Sequence, residues 1–145
     1  MQHRVRVYAR KTGSDIGPAA EFKTKVSAYY TNPVSAGFIS QDNSVNDNSQ
    51  FPDPGQKIYD HTFHPGTKVL DSLRFLVDEM DGSSATKLCE LRVTPQSFPT
   101  GTSSYQCYYE SDNGAVVDWH FNIIVNTCTD NVICPIFIAP ALQNP

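Results

Sequence analysis

No stretch of this chain stays apolar for the roughly 20 residues that a bilayer-spanning helix requires. The most apolar segment, residues 132–142, is short and is broken by Pro135 and Pro140. Positive charge is scarce as well: 11 Lys and Arg face 15 Asp and Glu, leaving a net charge of −4. A generic nucleic-acid binder needs a basic field to attract phosphates, so no nucleic-acid partner is expected. Arg4, Arg6, Arg10 and Lys11 do cluster, and on an alternating strand they read as a solvated face. Catalytic signatures are missing: there is no Gly-x-Ser-x-Gly elbow, no His-Glu-x-x-His pair and no phosphate-binding glycine loop. We therefore expect no enzyme. The opening Met-Gln-His-Arg lacks the apolar core of a signal peptide, so a secreted chain would have lost its leader.

Helix-period patterning is equally hard to find, and what replaces it is alternation. Val5, Val7 and Ala9 alternate with Arg4, Arg6 and Tyr8; Phe22, Thr24, Val26, Ala28 and Tyr30 alternate with Lys23, Lys25 and Ser27. Period-two patterning with branched and aromatic residues is the mark of half-buried strands. Residues 40–55 are polar and carry Asp42, Asn43, Asn46, Asp47 and Asn48 before Pro52 and Pro54. With little to bury, they read as a long surface loop. Further strands are expected at 57–64, then with Val69, Leu73, Phe75 and Val77 on one face, then at 87–94, 104–110 and 115–125. About eight strands punctuated by turns predict an all-β fold, a single antiparallel β-sandwich domain over 1–145.

The last two strands flank Asp112-Asn113-Gly114. A three-residue loop sets Tyr105 opposite Phe121, Cys107 opposite Trp119 and Tyr109 opposite Val117, keeping one face apolar. The other face then pairs Tyr108 with Asp118, Gln106 with His120 and Ser104 with Asn122. Cys89, Cys107, Cys128 and Cys134 are even in number, and their spacings match no metal or redox motif. They predict a disulfide-stapled protein of an oxidising, extracellular compartment. Cys89 shares the apolar face of its strand with Leu91 and Val93, so it is expected to pair with Cys107 near Trp119. Cys128 and Cys134 would then close a short loop. Four cysteines allow three connectivities, and the sequence leaves the other two open.

Candidate sites follow from these faces. Tyr108, Gln106, Asp118, His120 and Asn122 set donors and acceptors beside an aromatic ring, a surface suited to a glycan or a protein ligand. Asp118 and His120 would chelate a metal only with a third ligand, and His61 and His64, three apart, face opposite sides of a strand. Asp78-Glu79-Met80-Asp81-Gly82-Ser83-Ser84 is a carboxylate-rich loop. Residues 69–93, which hold that loop between two strands, resemble the third loop of a C2 domain. The resemblance implies a C2-like sandwich in which Asp15, Asp78 and Asp81 take calcium at the loop tips and approach a lipid surface or a partner. Met80 stands where that family places its second acid.

Three functions are thus in view. One is an extracellular recognition module for a glycan or protein ligand. Another is a C2-like, calcium-dependent lipid- or partner-binding module. A third is a structural subunit of an extracellular or virion assembly, self-associating through the apolar C-terminal tail at 133–142.

Overall fold

Alternation builds most of the strands found among the described residues. The computed structural model describes residues 1–12, 20–45, 54–94, 100–110 and 118–129. Among them are eight strands and no helix: β1 (Gln2–Thr12), β2 (Ala20–Thr31), β3 (Ser35–Val45), β4 (Gln56–Phe63), β5 (Val69–Asp81), β6 (Ser84–Val93), β7 (Gly101–Tyr109) and β8 (Asp118–Cys128). They form two four-stranded sheets, ordered β4-β1-β8-β7 and β3-β2-β5-β6, with every neighbouring pair antiparallel. The expected sandwich is what the chain adopts.

The core lies between the two inner faces. Val5, Val7, Phe22, Val26, Leu73, Phe75, Val77, Phe121 and Ile123 are all buried there. At its centre the Phe22 ring stands edge-on to Trp119, with centroids 4.8 Å apart, and to Phe121, 5.9 Å away. Edge-to-face aromatic packing of this kind adds to the burial energy. One bulge serves the core directly. Between Val7 and Tyr8 the β1–β4 register skips Ile58, so Ile58 and Tyr59 both turn inward, at 0% and 1% exposure. Close by, Gly55 takes φ of 111°, and a Cβ there would lie 2.4 Å from the Ala9 carbonyl oxygen, so only glycine fits.

The two open flanks of the sandwich are closed by different chemistry. On one, the edge strands β3 and β4 are joined through side chains. Gln41 donates to the Asp60 carbonyl at 2.8 Å and accepts from the Asp60 amide at 2.9 Å, while Tyr59 donates to the Ile39 carbonyl at 3.3 Å. On the other flank, the disulfide Cys89–Cys107 ties β6 to β7, with Cα atoms 5.9 Å apart. That bridge is the one expected. Cys128 is disulfide-bonded too; its expected partner, Cys134, lies outside the described residues.

Several local expectations need correction. Residues 40–45 belong to β3 and not to a loop. β3 is an edge strand with most of its side chains in water, so it needs no apolar alternation, and the backbone pairing to β2 holds it. Val69 does not share the face of Leu73, Phe75 and Val77: it is 56% exposed, whereas those three are fully buried. The β2–β5 register skips Asp71, which reverses the phase of the strand and turns Leu70 inward instead. The acidic segment from Asp78 to Asp81 is the end of β5, and the turn is only Gly82-Ser83, with Asp81 paired to Ser84. Gly82 there takes φ of 63°, as the first central position of a type II′ hairpin demands.

The β7–β8 register is shifted by two residues from the expected one. Tyr105 faces Ile123, Cys107 faces Phe121, Tyr108 faces His120 and Gln106 faces Asn122. Hydrophobic alternation has period two, so it fixes which face is inside but is blind to a slip of two. The faces are therefore as expected, and the partners are not.

Candidate ligand-binding face

Polar positions of β7 and β8 alternate with the core positions Trp119, Phe121 and Ile123, which places Tyr108, Gln106, Asp118, His120 and Asn122 together on the outer face. All five expected residues form one contiguous patch. Tyr108 and Gln106, on the edge strand β7, are exposed, while Asp118, His120 and Asn122 sit half-buried behind them.

The back row holds the front row in place. The His120 ring lies 4.7 Å from the Tyr108 ring and is tilted against it by 44°. On its other side, His120 Nε2 shares a 2.9 Å hydrogen bond with Thr12 Oγ1 at the end of β1. Asn122 donates to the Pro54 carbonyl at 2.8 Å and accepts from Gln106 Nε2 at 3.3 Å. Partial desolvation, then the neighbouring Asp118 carboxylate and the charge of Glu110, raise the Tyr108 phenol above its ordinary pKa. A half-exposed ring with its orientation fixed costs less entropy to dock against a ligand than a free one.

The other expected sites are not assembled in the same way. Asp78 and Asp81 are three apart on an unbroken stretch of β5, so they project to opposite faces; Asp15 lies outside the described residues. Asp78 instead belongs to an ordered row across the outer face of the second sheet, Asp42–Lys23–Asp78–Lys87, in which the signs alternate strand by strand. Glu79 and Asp81 share the inner side at the end of the sandwich. Burial and then the Asp81 charge raise the Glu79 pKa, and Lys11 across the gap partly offsets this. Among the described residues no three His, Cys, Asp or Glu converge as metal ligands. The apolar tail at 133–142 also lies outside the described residues.

The basic cluster of β1 is not a solvated face. Lys11 is 1% exposed and carries its ammonium 5.9 Å from the centre of the Trp119 ring, closing one end of the core. Arg6, on the opposite face of the strand, is 4% exposed and donates to Asn126 Oδ1 at 2.6 Å. Asn126 in turn donates to Thr102 on β7. Arg4 grips Asp60 through two bonds of 2.9 and 2.6 Å, joined by Lys57 at 2.9 Å. Burial alone would raise the Asp60 pKa, but these two cations outweigh it and hold the carboxyl at about 2.

Sequence reasoning missed a depression of about 490 Å³ beside the Gly82 turn, lined by residues that include Lys23, Asp42, Ser44 and Met80. It exists because β3 continues to Val45, so reading 40–45 as a loop hid it. The signal was available in the charges: Asp42 is the residue that β3 sets against Lys23.

The chain matches no protein-family model and no curated protein. Among solved structures it is similar to CC2D1B, a C2-domain-containing protein described as coordinating ESRCT-III activity during the mitotic reformation of the nuclear envelope. The TM-score is 0.50 and the identity 14%, over 98% of this chain and 59% of that one. This chain thus spans little more than half of the CC2D1B chain. The likeness is one of fold, and it is consistent with a C2-like sandwich.

Proposed function

We propose that the chain is a non-enzymatic recognition module of an extracellular, oxidising setting that binds a glycan or protein ligand on the outer face of β7 and β8. One observation carries the reading: the Tyr108 ring is 53% exposed yet held against the His120 ring, which Thr12 anchors from behind. Free surface tyrosines need no such support, and an oriented aromatic face beside amide donors is what a sugar or a flat protein epitope docks onto. The disulfide across the β6–β7 flank supports the compartment, since such bonds persist where thiols are not kept reduced.

The test is a glycan array and a ligand capture assay with the intact chain and with a Tyr108→Ala, His120→Ala double variant. Losing the ring contact should weaken binding by about two- to twelvefold, from an aromatic contribution of about 0.5–1.5 kcal/mol. Full binding by a folded double variant would refute this face as the site.

A further inference from the structure

The outer face of the second sheet departs from its own charge order in one row. Toward the Gly82 turn, Asp42, Lys23, Asp78 and Lys87 alternate in sign across four strands. Nearer the other end, the row runs Phe38–Ser27–Arg74–Arg92, with two arginines directly opposite each other. Like charges in that position destabilise a sheet.

The fold only partly compensates. Arg74 bonds Glu90, and the same carboxylate also takes Lys87 at 2.8 Å. The Arg92 guanidinium lies 4.5 Å over the Tyr29 ring, and it donates to Ser72 Oγ at 3.2 Å. Lys25, one row along, holds its ammonium 4.1 Å over the Phe38 ring, and that ring is itself 57% exposed. Three cations, Lys25, Arg74 and Arg92, therefore stand around one carboxylate that Lys87 of the alternating row also shares, in a protein whose net charge is −4. Two aromatic rings stand among them. Ser27, 8% exposed, and Ser72, fully buried, keep the ground between these side chains low.

We infer that this row is a binding strip for a linear sulfated polysaccharide. Guanidinium groups recognise planar or tetrahedral oxyanions through paired N–H donors, which a lysine cannot do. The rings of Phe38 and Tyr29 offer faces for the C–H side of a sugar beside those anions. Direction separates this ligand from an acidic peptide. A peptide added to a sheet runs along an edge strand, whereas the cations here run across the strands β2, β5 and β6, over two inter-strand spacings or about 10 Å. An extended polyanion laid across the sheet would meet Lys25, Arg74 and Arg92 in turn and relieve the like-charge contact. This strip belongs to the sheet opposite the Tyr108 face, so the two can fail independently.

The test uses immobilised heparin and isothermal titration with a heparin oligosaccharide on the intact chain. Binding should be present at low salt and fall steeply as salt is added, because counterions are released from the polyanion. An Arg74→Gln, Arg92→Gln double variant should bind about tenfold more weakly or worse, given the worth of charge-assisted hydrogen bonds. Lys68→Gln, outside the strip, should bind as the parent does. The single change Arg92→Gln should leave the melting temperature unchanged or raise it, whereas a purely structural arginine would lower it. If the double variant fails to fold, Lys25→Glu serves in its place, since it leaves both arginine partners intact. Unchanged heparin binding in these variants overturns the proposal. So does equal binding of chemically desulfated heparin, which would show that the sulfates are not read, or of inorganic polyphosphate or phosphatidylserine vesicles, which would show charge alone to be read.

Discussion

Replacing Cys89 and Cys107 together by alanine removes the bond that joins the edge strands β6 and β7 across the open flank. The bonded pair is separated by 18 residues in sequence. For a closed segment of that length, the chain-entropy relation gives about 11 cal/mol/K, or about 3 kcal/mol at 25 °C. That is a large share of the roughly 5–15 kcal/mol by which a domain is stable. The double substitution is a cleaner perturbation than a reductant, because Cys128 is also disulfide-bonded and reduction would open both bridges. Equilibrium urea unfolding can be followed by Trp119, the one tryptophan of the chain, which sits 3% exposed in the core beside Phe22. The extrapolated stability should fall by about 3 kcal/mol, and the urea dependence should steepen as the denatured chain opens further. Hydrogen exchange should quicken first at β6 and β7, while the flank joined by Gln41 and Tyr59 keeps its protection. A loss below about 1 kcal/mol, or a shallower urea dependence, would refute the argument that this bond acts by restricting the unfolded chain.

Other expectations are as direct. Asp60 is held at about 2 against an ordinary 3.8, so its stabilising share is present above pH 4 and is lost as pH falls from 4 to 2. Discounted for partial exposure, that share is about 1–2 kcal/mol; acid unfolding of Asp60→Asn should start less stable at neutral pH and converge with the parent near pH 2. Phe22→Ala removes a ring that is 1% exposed between Trp119 and Phe121. It should cost about 3–5 kcal/mol in urea unfolding, with an altered near-ultraviolet signal from Trp119.

What the sequence made legible is what a period of two encodes. It separated Trp119, Phe121 and Ile123 from Asp118, His120 and Asn122, and the structure keeps that division. It placed Cys89 on the same side as Leu91, and with that the bridge to Cys107. Features that interrupt the period were not legible. The skipped residues Ile58 and Asp71 change which neighbours face inward, and no composition rule marks a bulge in advance. The two-residue slip of β7 against β8 escaped for the converse reason, since it leaves every side chain on its own face. β3 was missed because an edge strand is held by backbone pairing, and its polar side chains resemble those of a loop.

The same limit explains why a functional surface is hard to read from polarity alone. Both outer faces of this sandwich are polar, as antiparallel sheets commonly are on their solvent side. On the first sheet that polarity is largely consumed within the fold: Arg4 by Asp60, Arg6 by Asn126, His120 by Thr12, Asn122 by Pro54. Exposure of the Tyr108 ring, and not the number of polar groups around it, is what leaves something for a ligand there. On the second sheet the decisive quantity is sign. Asp42, Lys23, Asp78 and Lys87 alternate as a self-sufficient surface should, whereas Arg74 set against Arg92 leaves positive charge unbalanced where Glu90 is already shared. The second feature cannot be seen until the register is known, because Arg74 and Arg92 are 18 residues apart in the chain and become neighbours only when β5 and β6 pair. Binding surfaces on such a fold are therefore to be sought where the pairing leaves charge or aromatic area that the molecule does not itself satisfy.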